Sequence, residues 1–274
     1  MTEGRLLMSD SDDKYDSDEA LLKLEAMGEE LIDAVRHYDD STVRELLALG
    51  ADPNMIVETE GYGPRSILNE AISMNDAGCV VALLEGGANV NEGGARGVSP
   101  LKVVVGQNYA TLVEPICKAG IERDIIDISL VMACQLGAQE SALMLLKCGA
   151  DPANLTVLGE QSRTAMHFCS GEGDDKVPLV YALLEAGAPL ENGLPADTNV
   201  LAGCTPLIIA CATGALQLVQ LYSSFGAKRA PPNAHFTAYT AAGTVDVNRW
   251  LQESADWSTP LHHASVVPVD GAAL

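Results

Sequence analysis

A short pattern that recurs along the chain limits the possible folds more than any other feature. Its fullest copy, T-P-L-H-H-A, spans Thr259–Ala264, and the spacing between successive copies varies from 22 to 41 residues. In six copies a glycine follows a Leu-Leu-like pair, and it lies 21 residues after the start of five copies and 23 after the sixth. The other copies are Glu29–Ala34, Ser66–Ala71, Ser99–Val104, Ile128–Ala133, Thr164–Cys169, Thr205–Ala210 and Thr237–Ala242. A constant internal offset with variable gaps is typical of tandem structural repeats, so we expect a repeat array.

The first unit shows what each repeat contains. Apolar residues recur at helical spacing over Leu31–Val35, the run Tyr38–Ser41 interrupts the helix, and a second apolar stripe covers Val43–Leu47. Gly50 ends the second helix because glycine readily adopts positive φ, and Ala51–Asn54 leads into a turn. Neither helix can bury its apolar stripe alone, so the units must stack on one another.

These motifs resemble the ankyrin repeat family, whose repeat carries G-x-T-P-L-H-x-A and a second helix that ends L-L-x-x-G-A. The resemblance covers residues 29–264. It rests on Thr259–His262 with Ala264, on Thr205–Leu207, on Thr164 with His167, and on the Gly-Ala pairs that begin at Gly50, Gly87, Gly149, Gly187 and Gly226. It implies an all-α solenoid of stacked helix-turn-helix units with protruding hairpin fingers. In that family the Thr-Pro pair starts the first helix and the His ties the loop to its neighbour.

The pattern also predicts the domain organisation. Residues 1–17 are expected to be a disordered acidic tail, 18–28 a capping helix, 29–264 the array of about seven full units and a truncated eighth, and 265–274 a C-terminal remnant. I-E-R-D-I-I-D over Ile121–Asp127 replaces a regular finger, and the finger over Asn192–Gly203 is extended. Because the last repeat is unfinished, we expect the chain to be a fragment of a longer protein.

The net charge indicates which partners are favoured, and the cysteine positions indicate whether the thiols are free. The formal net charge is −22, with 21 acidic and 7 basic residues in positions 1–100, so nucleic acid and anionic membranes are disfavoured as ligands and a basic protein is favoured. The seven cysteines include no C-x-x-C motif, which favours buried free thiols over disulfides or zinc. Without a signal peptide or a run of 18 apolar residues, we expect the cytoplasm, with the nucleus as the alternative.

Signatures of catalysis are missing from the sequence. It has no phosphate-binding glycine loop, no G-x-S-x-G and no H-E-x-x-H. His262 and His263 are its one adjacent His pair, and neighbouring residues on a helix point about 100° apart, which is awkward for shared metal ligation. We therefore expect neither an enzyme, nor a cofactor, nor a metal site.

The remaining candidate is a binding surface on the finger tips and along the first helices. Residues in the turns before the recurring pattern are Tyr62, Arg65, Arg96, Val98, Arg163, Phe236 and Trp257, and residues after the first helices are Met74, Gln107, Tyr109, Gln135 and Glu172. Tyr, Trp and Arg often anchor interfaces. Arg65, Arg96 and Arg163 recur near one turn position. They form either a positive stripe or separate ion pairs with nearby acids.

Two functions are consistent with the sequence. The first is a monomeric, non-catalytic scaffold or adaptor that binds another protein along the concave, finger-lined face. The second is a regulatory ankyrin region of a larger multidomain protein, such as an enzyme, a channel or a ubiquitin-ligase adaptor. The partner itself is not encoded in the fold.

Overall fold

The structure, a computed structural model, divides into two compact units, residues 1–103 and 104–274. It describes residues 12–58, 63–92, 98–154, 156–158, 161–171, 174–194, 203–232 and 235–256, with the backbone alone described at 12–21, 156–158, 161–163 and 174. The division falls within helix α5, Pro100–Gly106.

The first unit consists of helix pairs and one hairpin finger. Its elements before α5 are α1 (Asp12–Arg36), α2 (Asp40–Ala48), β1 (Ile56–Val57), β2 (Arg65–Ser66), α3 (Ile67–Ser73) and α4 (Ala77–Glu85). The first helices α1 and α3 pack together, the second helices α2 and α4 pack together, and each first helix packs on its own second helix. The strands pair antiparallel, with Ile56 opposite Ser66 and Val57 opposite Arg65. Leu31, Val43 and Leu83 are fully buried between these layers.

The second unit also consists of a layer of first helices and a layer of second helices. Its first helices are α7 (Arg123–Leu136), α9 (Ala165–Cys169), α11 (Pro206–Thr213) and α13 (Ala238–Ala241), and its second helices are α6 (Ala110–Lys118), α8 (Gln139–Lys147), α10 (Val177–Glu185), α12 (Leu216–Ser224) and α14 (Val245–Glu253). Successive helices of each layer pack on one another. Strands β3 (Thr156–Leu158) and β4 (Gln161–Arg163) form an antiparallel finger.

Helix starts follow the recurring pattern. Ser66 caps α3, where its hydroxyl accepts a hydrogen bond from the Asn69 amide at 3.2 Å, and Thr237 caps α13 in the same way from Thr240 at 3.2 Å. Thr205 precedes α11, which begins at Pro206, where a fixed φ suits the first turn. The predicted first-helix starts at Ser66, Thr205 and Thr237 are thus those of the structure.

Helix ends follow the recurring glycine. Six glycines after the second helices have φ between +86° and +102°, a region that residues with a Cβ rarely adopt. They are Gly50, Gly87, Gly120, Gly149, Gly187 and Gly226. After Gly50, Gly87, Gly149, Gly187 and Gly226 the following residue donates its amide to a carbonyl five residues back, as from Ala51 to Leu46 at 3.0 Å, which satisfies the helix end. The glycine signal therefore has a direct structural cause.

The helix α1 differs from the N-terminal organisation predicted by the sequence. It runs without a break from Asp12, within the stretch 1–17 expected to be disordered, through the expected capping helix 18–28 and into the first repeat. The single internal glycine, Gly28, does not end it.

The helix α7 differs from the other first helices in its length. It has 14 residues and begins at Arg123. Most of the segment Ile121–Asp127, which was expected to replace a finger, therefore belongs to the start of this helix. No glycine or proline occurs between Arg123 and the positive-φ residue Gly137, which ends it. The T-P-L-H-H-A copy, the truncated eighth unit and residues 265–274 lie outside the described residues.

Candidate interaction surface

One position in the first helices ties each helix to the turn that follows in the chain. The Asn69 side-chain amide donates to the Val98 carbonyl at 3.1 Å in the first unit. In the second unit His167 Nε2 lies 2.9 Å from the Asn192 carbonyl. Asn69 and His167 both stand where the T-P-L-H pattern has its histidine. The structure thus gives this position the tying role that the resemblance implies.

The contacts of His167 also define its tautomer. The Thr164 amide donates to His167 Nδ1 at 3.3 Å, so Nδ1 is an acceptor and the proton of the neutral ring is on Nε2. Nε2 then donates to Asn192, and the Thr164 hydroxyl lies 2.7 Å from Nδ1. His167 is buried, and this histidine is therefore a structural connector between two loops.

In the first unit, an arginine predicted to contact a partner is held by a nearly buried carboxylate. Arg65 Nε lies 3.0 Å from Glu70 Oε2, and its Nη1 donates to the Ser73 hydroxyl at 2.7 Å. Arg36, at the end of α1, places its Nε 3.6 Å from the other Glu70 oxygen. The two guanidinium groups link α1, the finger and α3 through Glu70. Of the two alternatives for Arg65, the ion pair with a nearby acid is present.

The ion pair leaves Arg65 partly accessible. Its side chain remains 20% exposed, against 10% for Glu70. The helix α3 has seven residues and a length of about 10 Å, so Arg65 reaches from the finger to the far end of the helix at Ser73. Half-buried Met74 follows directly.

Exposed apolar side chains occur on other elements of the same unit. In the finger, Ile56 is 48% exposed and pairs with the residue after Arg65, while Val98, whose carbonyl accepts from Asn69, is 43% exposed. Tyr38, two residues after Arg36, is 59% exposed. We call Tyr38, Ile56, Arg65, Met74 and Val98 the unit-one surface.

The sequence did not identify Tyr38 or Ile56 as binding residues. Tyr38 has φ +61°, in the turn position where Asn75, Asn108, Gly137 and Gly214 also have positive φ. A tyrosine in this conformation is uncommon, because a bulky side chain is strained there. Tyr38 and Asn75 occupy the same position in their repeats, and this equivalence could have marked Tyr38 as an unusual turn residue from the sequence alone.

The other predicted residues are distributed over both units. Tyr109 is half-buried before α6, Gln135 is exposed near the end of α7, and Phe236 is half-buried before α13. The described contacts do not bring these three together. Arg163 belongs to β4, and its side chain is outside the described set. Tyr62, Arg96 and Trp257 lie wholly outside the described residues, as does Glu172, and Gln107 is exposed.

Beyond α12, a second arginine organises the end of the described array. Arg229 donates to the Leu251 carbonyl at 3.0 Å and to the Ser254 hydroxyl at 2.8 Å, and its guanidinium lies 5.3 Å from the centre of the Trp250 ring. These contacts tie the turn before α13 to α14. They give Arg229 a structural role that the sequence did not reveal.

A different set of exposed aromatic residues lies on the second helices. Tyr181 of α10 and Phe225, which ends α12, meet edge to face with ring centres 5.9 Å apart. The Tyr181 hydroxyl donates to Glu185 at 2.7 Å. This pair forms a second exposed apolar patch, which lies on the second helices, and Tyr181 serves below in the control for the unit-one surface.

Neither a metal cluster nor a spanning helix is seen in the described part of the chain. No three His, Cys, Asp or Glu side chains there converge as a metal site requires. Within the same residues, no helix combines the length and apolar character needed to cross a membrane.

Comparison with solved structures identifies the fold. The human ASB11 ankyrin repeat domain matches with a TM-score of 0.59 and 24% identity, over 81% of this chain and 96% of that chain. The ankyrin repeat domain of Bcl-3, described as a unique member of the IkappaB protein family, matches with a TM-score of 0.66 and 19% identity, over 81% and 97%. No protein-family model matches the chain, and no curated protein sequence matches it. The chain has the ankyrin-repeat fold, and ankyrin repeat domains are generally protein-interaction modules.

Proposed function

From the ankyrin-repeat fold of this chain, we propose that it is a non-catalytic scaffold or adaptor that binds another protein through its unit-one surface. The observation that carries the proposal is the arrangement around Arg65. Its guanidinium is held by Glu70 and Ser73, while exposed Ile56 and Val98 lie on the elements beside it. Arginine and tyrosine are enriched at binding hot spots, and accessible apolar side chains on neighbouring elements would add contact area.

Preorganisation supports this surface over scattered exposed residues. An arginine that is fixed before binding loses less conformational entropy on association than a freely rotating one. Arg65 makes a contact along each edge of its guanidinium, to Glu70 and to Ser73, so its position is defined in the absence of a partner. Hydrogen bonds such as the one from Asn69 to Val98 hold the neighbouring turn in the same way.

The net charge of −22 indicates the kind of partner. Long-range attraction would speed the approach of a basic protein and would oppose acidic ligands, with the effect screened over about 8 Å at physiological salt. The apolar residues of the unit-one surface then supply the short-range contacts. We propose a single copy of this chain for each basic partner.

Affinity capture with matched variants tests the proposal. The bait is the wild-type chain beside Tyr38→Ser/Ile56→Ser, which changes one aromatic and one aliphatic residue of the unit-one surface. The control bait, Tyr181→Ser/Leu49→Ser, changes one exposed residue of each type on the second helices. All four side chains are exposed, so circular dichroism should give the same helical signal for every bait, and a cooperative unfolding transition shows that each bait is folded.

A partner retained by the wild type and the control, and lost by the unit-one variant, supports the proposed surface. The purified partner should then bind the wild type at least tenfold more tightly than the unit-one variant in titration calorimetry, since two lost anchors cost more than about 1.4 kcal/mol. Equal binding by all three baits, or loss with the control alone, contradicts the assignment.

A further inference from the structure

Two cysteines occupy facing positions on successive repeats of the second unit. Cys117 is the third residue before Gly120, and Cys148 is the residue directly before Gly149. Both glycines follow second helices, with φ of +88° and +86°, so the two positions can be compared with their equivalents in other repeats. Cys117 is in α6, Cys148 directly follows α8, and these two helices pack side by side.

The same two positions touch each other in the first unit. Leu47 is the third residue before Gly50, and Gly86 is the residue directly before Gly87. A Cβ placed on Gly86 would lie 3.3 Å from the Cβ of Leu47. In disulfides the two Cβ atoms are about 3.5–4.5 Å apart, so this repeat geometry is within a few tenths of an ångström of what a disulfide needs.

Other repeats have unreactive side chains at these two positions. The pairs equivalent to Leu47 and Gly86 in the second unit include Leu146 with Ala186 and Leu184 with Phe225. Only Cys117 and Cys148, among these described pairs, place a thiol on both sides. Burial, and then the hydrogen bond to the Cys148 thiol, raise the pKa of Cys117 to about 12.

The pair is accessible from solvent. Cys117 and Cys148 line a cleft of about 290 Å³, together with Glu114, Lys118, Met144 and Lys147, and both cysteines are half-buried. Peroxide and small thiols can enter such a cleft. By contrast, Cys134 and Cys169 are also close to each other, but both are buried.

We propose that Cys117 and Cys148 are a redox modification site, at which a peroxide closes a disulfide between neighbouring repeats. The Cys148 thiolate attacks the peroxide, the O–O bond breaks, and a sulfenic acid and one water form. The Cys117 sulfur then attacks the sulfenic sulfur, the S–S bond forms, and the hydroxyl leaves as a second water with the thiol proton. The two thiols lose two electrons in total, hydrogen peroxide gains them, and a dithiol reductant reverses the reaction.

The disulfide would join two neighbouring second helices that pack side by side. It would connect residues 31 positions apart in the sequence and so restrict the unfolded chain more than the folded one. The oxidised chain should therefore resist unfolding better than the reduced chain. This modification goes beyond partner binding and does not depend on it.

Mass spectrometry of the full chain tests the site. The reduced protein is treated with one equivalent of hydrogen peroxide and is then unfolded in urea with an alkylating reagent, so that the buried thiols also react. The expected product has lost two hydrogen atoms and carries five alkyl groups instead of seven, and a digest without reductant yields the peptides of Cys117 and Cys148 linked. Its urea midpoint should rise, and dithiothreitol should restore the reduced value. Cys117→Ser and Cys148→Ser should each lack the linked peptides and the rise in midpoint.

Three results would overturn the proposal. One is added oxygen on cysteine with no link between these peptides. Another is a link between Cys134 and Cys169 in place of the proposed one, and the third is a product that joins two chains. The wild-type digest alone decides among these outcomes, so the test does not depend on the stability of the serine variants.

Discussion

At the scale of single residues, His167 shows how one side chain joins two neighbouring loops. It accepts from the Thr164 amide through Nδ1 and donates from Nε2 to the Asn192 carbonyl, and it is buried. Asn69 makes the equivalent connection to Val98 with a shorter side chain. In α7, Asp127 connects to the next turn with the opposite polarity, because its carboxylate accepts from the Asp151 amide at 2.7 Å. Asn69 and His167 thus make one connection with different side-chain chemistry, while in α7 the connection comes from Asp127, four residues before the equivalent position, Val131.

Replacing His167 should destabilise the chain. His167→Ala leaves the Thr164 amide and the Asn192 carbonyl without this partner in a buried region, and we expect a loss of about 1–3 kcal/mol in the free energy of unfolding. Urea unfolding followed by circular dichroism measures it. The control is His235→Ala, which changes an exposed histidine and should shift stability by less than about 0.5 kcal/mol. An equal effect of the two substitutions would contradict the connector role.

Because Tyr38 is strained and exposed, its replacement should change the free energy of unfolding and the partner affinity in opposite directions. With φ at +61° and an exposed side chain, Tyr38 contributes strain and little packing. Asparagine occupies the equivalent turn positions 75 and 108. Tyr38→Asn should therefore raise the free energy of unfolding by up to about 1 kcal/mol and weaken partner binding. Urea unfolding and titration calorimetry measure the two effects. A destabilised variant would mean that the ring contributes packing, and unchanged binding would remove Tyr38 from the unit-one surface.

At the scale of single elements, the start of α2 depends on an ionised carboxylate. The Ser41 hydroxyl donates to Asp39 Oδ1 at 2.7 Å, the Thr42 amide donates to the same oxygen at 3.1 Å, and the Thr42 hydroxyl donates to Oδ2 at 2.7 Å. These hydrogen bonds, that from Ser41 first, lower the pKa of Asp39 from 3.8 to about 2. Because the pKa is depressed in the folded state, the stabilisation is complete above pH 3.8 and is lost as the pH falls towards 2.

The titration of Asp39 gives a direct check of this cap. Carboxyl chemical shifts recorded by NMR against pH should give a pKa of about 2 for Asp39 in the wild type. Ser41→Ala removes the largest contribution, so the pKa should rise towards 3.8. Thr42→Ser keeps its hydrogen bonds and serves as the matched control. A wild-type pKa near 3.8, or no change in Ser41→Ala, would show that the cap is not formed.

Several elements could be predicted from the sequence because their causes are local. Ser66 and Thr237 cap the helices that follow through their own hydroxyls, and Gly50 and Gly187 take positive φ where a second helix ends. The early start of α7 was missed because residues that replace a finger can also form a helix, and the choice between the two depends on packing against α8 and α9. Its length is therefore a tertiary property.

At the scale of the whole molecule, the repeat period predicted the fold, while the proposed binding surface could only partly be predicted from the sequence. The structural comparisons confirm the ankyrin-repeat solenoid. By contrast, Glu70 lies 34 residues after Arg36, and no periodic signal links these two residues, so their shared ion pair could not be read from the sequence. The positions of Tyr62, Arg96 and Trp257 in a binding surface stay predictions.

Hydrogen–deuterium exchange of the chain with its captured basic partner tests whether the partner binds the unit-one surface. If it does, exchange should slow on binding in the turn 37–39, in the finger strands at 56–57 and 65–66, and in the turn 74–76. Exchange should stay unchanged in the second helices α2 and α4, whose packing the partner does not alter. Protection confined to the second helices, or spread evenly over the chain, would contradict a partner seated on the unit-one surface.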